Sequence, residues 1–171
     1  MPLHFRDSRS GFTLMELLLV ISVIAILAGI LIMIINPVRY MKRARDSTRI
    51  SDIRTLASSI SYALSGSYIK LQDTTSGCLN CTSITGTKDV DGVNGWVKFT
   101  TISLAGLSDF VSSLPEDPIN DSTYYFEFAS DGNKFELDAK LEDPLYSVKN
   151  TNEGGTDMTK YEVGTSLTLI P

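Results

Sequence analysis

GFTLMELLLVISVIAILAGILIMII, residues 11–35, is the stretch on which the reading of this chain turns. From Phe12 to Ile35 it holds 24 residues and a single charge, Glu16. At about 1.5 Å per residue, such a helix runs roughly 36 Å, and the hydrocarbon core of a bilayer needs about 20 residues. Lipid offers backbone groups no partners, so the run must be helical there. Gly29 is the only helix-weakening residue inside it, and Pro37, just beyond, marks a kink or a break. A cleaved secretory signal would have a shorter apolar core followed by a small-residue site, and Ile34-Ile35-Asn36-Pro37 is not one. A plain signal anchor accounts for the apolarity but not for Glu16, because a carboxylate well inside such a run costs about 2.5–3.5 kcal/mol.

The flanks differ sharply from the run. Arg6 and Arg9 precede it, and Arg39, Lys42, Arg43 and Arg45 form a basic knot after it. The remainder is polar and rich in Ser, Thr, Gly and Asp. The 171 residues therefore divide into an apolar rod and a head large enough for one compact domain. Net charge is −5; loss of residues 1–11 would remove Arg6, Arg9 and Asp7 and take it to −6. A mildly acidic head stays soluble and disfavours broad nucleic-acid binding.

Gly11-Phe12-Thr13-Leu14-Met15-Glu16-Leu17 resembles the cleavage and N-methylation motif of type IV pilins and type II secretion pseudopilins. A short basic leader, a Gly before the cut, a Phe after it and a Glu fifth from the cut all match, over about residues 5–35. The resemblance implies that a prepilin peptidase cuts between Gly11 and Phe12 on the cytoplasmic side. It also implies that Phe12 is N-methylated and stays cationic, and that Glu16 meets the Phe12 amine of a neighbouring subunit. Pairing with its own N-terminus is the alternative for Glu16. Two features depart from the expected pattern. Counting Lys and Arg favours the opposite orientation, since four basic residues follow the run and two precede it. The proline that such rods often carry inside the run stands here at its end. With the motif's orientation, Arg39, Lys42, Arg43 and Arg45 would lie at the outer headgroups.

After Pro37 a helical pattern resumes. Ile50, Ile53, Ala57, Ile60 and Leu64 step by three and four along one face, Asp46, Arg49, Asp52 and Arg54 take other faces, and Gly66 is the expected stop. Beyond it, Trp96–Ile102 suits a strand and Leu104–Leu114 a short helix. Ser122–Ala129 and Asn133–Leu141 flank the hairpin signal Ser130-Asp131-Gly132. In the second arm, Lys134, Glu136, Asp138 and Lys140 alternate with apolar residues, as in a half-buried strand with one wet face. Tyr161–Ile170 adds a last strand, and 67–95 and 142–158 read as loops. The expected fold is α+β: a long N-terminal helix, transmembrane half plus amphipathic half, packed on a small antiparallel sheet in a pilin-like lollipop. Its parts are a leader at 1–11, a membrane or filament-core helix at 12–35, an amphipathic extension at 36–66 and a globular head at 67–171.

Little in the chain suggests catalysis. No Ser-His-Asp set, P-loop or paired acid/base motif occurs, and the single histidine, His4, lies in the leader. Cys78-Leu79-Asn80-Cys81 suits a small structural disulfide outside the membrane; free thiols and redox activity are the alternatives, and no second ligand pair completes a zinc site. Asp89–Gly95 offers too few oxygens for a calcium loop and reads as a polar turn with Asn94-Gly95 at its tip. Leu114-Pro115-Glu116-Asp117-Pro118 resembles a loop of major pseudopilins, some of which bind calcium, with Asp117 and Asp131 as the residues to consider. On balance, no metal and no cofactor are expected. Together these readings give a non-enzymatic structural subunit of a type IV pilus-like filament; alternatives are a secretion pseudopilin or a minor pilin with an adhesin or DNA-uptake role. The implied partners are other copies of the chain, the prepilin peptidase, the assembly platform and ATPase, and the inner membrane, with no nucleic acid. The implied location is a single-pass membrane precursor, head outside the cytoplasm, and then a surface filament.

Overall fold

The computed structural model describes residues 11–75, 78, 81–103, 106–146 and 154–170. Helix α1 (Leu14–Ile35) covers the apolar run, with Thr13 as its N-cap. It ends at Asn36, which adopts the left-handed conformation at φ 46°, and α2 (Pro37–Ser65) begins at the next residue. Proline is at home at a first helical position, where its missing N–H has no partner to lose. Asn36 also caps α2: its carbonyl and its Oδ1 both accept from the Arg39 N–H. The proline thus ends one helix and opens another. Residues 1–40 and 41–171 form two compact units.

In the second unit, α2 buries Ile50, Ile53, Leu56, Ala57, Ile60 and Ala63, with Leu64 half-buried beside them. This is the stripe expected from the three-four spacing. Two charged residues expected on other faces, Asp46 and Arg49, are fully buried as well. The helix stops in a Schellman motif: the Tyr68 N–H reaches the Ala63 carbonyl, and the Ser67 N–H that of Leu64. The left-handed residue is Ser67, at φ 56°, rather than Gly66. Gly66 is needed for another reason, because a Cβ there would run into the Tyr68 ring at 2.4 Å.

Two small antiparallel sheets pack on α2, where one was expected. β1 (Ile69–Leu71) pairs with β2 (Phe99–Thr101), and β3 (Phe126–Ser130), β4 (Phe135–Lys140) and β5 (Lys160–Gly164) form the other in that order. Trp96, Phe99, Phe126, Phe128, Phe135 and Leu137 meet the helix stripe in one core. The strand expected over Trp96–Ile102 shortens to its middle because Trp96 turns away, its indole N–H donating to the Pro115 carbonyl at 3.0 Å. The helix expected at 104–114 is a set of turns over 106–110 that still buries Leu107 and Leu114; residues 104 and 105 lie outside the described residues.

The hairpin at Ser130-Asp131-Gly132 forms as expected, with Gly132 at φ 87° and Asp131 accepting from the N–H groups of Asn133 and Lys134. Its second arm departs from expectation. Glu136 and Asp138 do not face water; they are 0 % and 1 % exposed. For Glu136 the cover is the last segment. β5 stops at Gly164, and residues 165–170 turn back as a strap whose Leu169 and Ile170 N–H groups donate to Glu136 Oε2. A strand pattern with polar alternation therefore hides a second covered face.

Candidate functional site

The N-terminal motif is set by one local device. Thr13 accepts the Glu16 N–H on Oγ1 at 3.2 Å, and its carbonyl accepts the Leu17 N–H. Thr-x-x-Glu is capping-box spacing, which fixes where α1 begins and places Glu16 in its first turn. The sequence reading missed Thr13, although that spacing was there to find. The positive end of the helix favours a carboxylate in this turn.

Around Glu16 the helix is open on every side. Leu14, Leu18 and Ile24 are 80 %, 56 % and 58 % exposed, and the span Leu14–Ile34 has a mean hydropathy of 3.3 with no buried share. It is long and apolar enough to cross a membrane. Phe12 is exposed, and among the described residues nothing would obstruct a Cβ at Gly11. While the Gly11–Phe12 bond is intact, the Phe12 nitrogen is a neutral amide and offers Glu16 no charge. Cleavage would convert it to a cation four residues away. Of the leader expected at 1–11, residues 1–10 lie outside the described residues.

The basic knot after the run is engaged with the head. Arg43 contacts Asp143 at 3.1 Å, and Arg45 forms a two-pronged pair with Glu142 at 2.6 and 2.7 Å. Two of the four cations expected at outer headgroups thus face carboxylates, which lowers the positive charge on that flank.

Deeper in, Arg49 clamps Asp117 with two bonds of 2.6 and 2.9 Å, while its remaining nitrogen holds Asp46 and Glu142 at 2.8 and 2.7 Å. Its guanidinium lies 4.9 Å over the Tyr124 ring. Asp46 in turn accepts the backbone N–H groups of Glu142 and Asp143. Asp117, considered above as a calcium ligand, is a partner of Arg49. Asp131, the other residue considered, serves the hairpin turn. The Asp89–Gly95 turn is organised by Asp91, which accepts from Val93 and Asn94, with Gly92 at φ 75°, rather than by Asn94-Gly95.

The Arg45 bond, then Arg49, holds the Glu142 carboxyl at about 2, against an ordinary 4.5. A carboxylate held low stabilises the fold above its unfolded value, and the stabilisation disappears as pH falls through the folded one. Head stability should therefore fall between about pH 4.5 and 2. Acid titration followed by emission of the sole tryptophan, Trp96, measures it. Glu142→Gln should flatten that limb.

Cys78 and Cys81 are joined as a disulfide with Cα atoms 5.4 Å apart. The Cys81 carbonyl accepts the Phe128 N–H, tying this loop to β3.

Among known families, residues 6–32 match the model of the prokaryotic N-terminal methylation motif. The chain therefore carries the signal motif of the type IV pilin and pseudopilin class, whose members are structural proteins. More particularly, the match spans the residues just before the Gly11–Phe12 junction, the junction itself, Glu16 and most of α1. No curated protein and no solved structure matches the chain.

Proposed function

We propose that this protein is a filament subunit of the type IV pilus kind, made as a membrane-anchored precursor. A prepilin peptidase removes residues 1–11, and the new Phe12 amine is methylated. Glu16 then pairs with the Phe12 amine of a neighbouring copy as the rods pack side by side. In this reading residues 12–35 are the membrane and later filament-core helix, residues 36–66 extend it, and residues 67–171 form a head outside the cytoplasm. The disulfide in the head suits an oxidising compartment. The assembly platform and its ATPase follow from the class of protein.

The observation that carries this reading is an acidic residue on an otherwise apolar and exposed helix, directly behind a Gly-Phe junction whose Phe is exposed. A lone carboxylate there is a standing cost in lipid of about 2.5–3.5 kcal/mol. A cationic amine on an adjacent rod would offset it and fix the axial register between copies.

Intact-mass analysis of filaments sheared from cells producing the chain tests the reading. The expected species starts at methylated Phe12. Recovery of a membrane-bound precursor alone, with its leader intact, would sink it. Gly11→Leu should block processing, because a bulky side chain keeps the peptidase from approaching the backbone. Immunoblots should then show precursor in place of the shorter product.

A further inference from the structure

The covered face of the three-stranded sheet holds a group of acids that the filament role does not use. Glu136 and Asp138 lie two apart on β4, so they share a face, and Glu162 on β5 is the direct cross-strand partner of Asp138. All three are buried, at 0 %, 1 % and 2 % exposure. One oxygen from each lies within 4.8 Å of the other two.

Backbone donors hold the outer ends of two of them. Leu169 and Ile170 occupy Glu136 Oε2, and the Thr156 and Asp157 N–H groups occupy the two oxygens of Glu162 at 2.8 Å. Turned into the group, Glu136 Oε1 and both oxygens of Asp138 have no hydrogen-bond partner. Lys160 stands to one side, 3.2 Å from Glu127 and 3.4 Å from Asp138. Buried carboxylate oxygens without partners are among the most expensive arrangements in a protein interior. Burial, and then the charge of Glu136, pushes Asp138 up to about 8, and burial also raises Glu136.

We propose that Glu136, Asp138 and Glu162 form a binding site for one calcium-sized divalent cation. Carboxylate oxygens are the ligands that a hard divalent cation prefers. Calcium takes them at about 2.3–2.6 Å, so oxygens on its opposite sides stand about 4.6–5.2 Å apart, whereas magnesium at about 2.0–2.1 Å draws them within about 4.2 Å. Oxygens within 4.8 Å of one another can close around calcium, whereas magnesium, which keeps several of its own waters, suits a buried trio of carboxylates less well. Three carboxylates leave coordination positions for water, and Asp138 also lines a cavity of about 280 Å³ on the Lys160 side. The ion would lock β4, β5, the 156–157 turn and the strap together. This site is independent of the assembly reading, since it uses no residue of the N-terminal helix.

Calorimetric titration of the full chain in detergent, stripped with EGTA and then given calcium chloride or magnesium chloride alone, tests the proposal. Saturable binding of one calcium per chain, at least about tenfold tighter than magnesium, is expected. Calcium at about 100 times its Kd should raise the Tm reported by Trp96 by roughly 10 °C. Asp138→Asn should weaken calcium binding by tenfold or more and abolish the Tm response, whereas Asp131→Asn, in the exposed hairpin turn, should leave both intact. Asp138→Asn should also raise the Tm of the metal-free chain, since an amide removes a buried carboxyl crowded against Glu136 and Glu162. The wild-type comparison of EGTA with calcium needs no variant to fold. No saturable calcium binding, equal affinity for magnesium, or a response that Asp138→Asn leaves unchanged would each overturn the assignment.

Discussion

Arg49→Ala is expected to destabilise the head by about 3–5 kcal/mol, the typical result of stripping one partner from a buried ion pair. The residue is wholly buried and carries the positive charge shared by Asp46, Asp117 and Glu142. Its removal leaves carboxylates from α2, from the loop before β3 and from the segment after β4 facing one another in a poorly solvated space. Thermal unfolding followed through Trp96 should show a large fall in Tm. The tryptophan is 1 % exposed and bonded to Pro115, two residues from Asp117. Arg49→Lys should recover little, because an ammonium cannot reproduce the planar two-bond grip on Asp117. Arg49→Met combined with Asp117→Asn should recover more, since it removes charge from both sides. An Arg49→Ala chain with an unchanged Tm would mean that the network contributes nothing to the fold.

Arg49 also marks where the sequence stops being readable. The rod, the apolar stripe of α2 and the β3–β4 hairpin announce themselves through periodicity and turn residues, which are local signals. Arg49 and Asp46 look like an ordinary surface pair of charges in an amphipathic helix, and their other partners lie 68 to 97 residues further on. Glu136 and Asp138 mislead in the same way: their alternation is that of a solvated strand face, yet the strap bonded to Glu136 and the Lys160 beside Asp138 come from far along the chain. Ser67 takes the left-handed position while Gly66, the residue composition favours, is fixed by the Tyr68 ring. Of the N-terminal site, Gly11, Phe12 and Glu16 are legible from their spacing at the edge of the apolar run. Thr13 was equally legible through its distance from Glu16. What each of these residues meets in an assembly is not written in one copy of the chain.

Glu16→Ala is expected to leave α1 intact, ease membrane insertion and permit cleavage, yet weaken association of the rods by roughly 100-fold. Thr13 caps the helix through the Glu16 backbone N–H, not its side chain, so the start of α1 survives the substitution. Insertion loses a charge that costs about 2.5–3.5 kcal/mol in lipid. Under the proposed pairing, the substitution removes the counter-charge for a neighbouring amine, which would then be buried alone. Comparing the chain in sheared filaments with the membrane-retained pool on an immunoblot measures the effect. Glu16→Gln separates charge from shape: if pairing is ionic, it should assemble almost as poorly as Glu16→Ala. Normal filament yield from either variant would remove the pairing role.

The strap at 165–170 has a consequence for how the head is born. These residues leave the ribosome after every strand, so the Glu136 end of the acid-lined side stays open until synthesis reaches Ile170. Closure is then a late, long-distance event, and loop closure of that kind is slow compared with forming α2 or the β3–β4 hairpin. A head emerging across a membrane would spend its first moments with that side uncovered, and it is in this interval that quality-control proteases would find it easiest to seize.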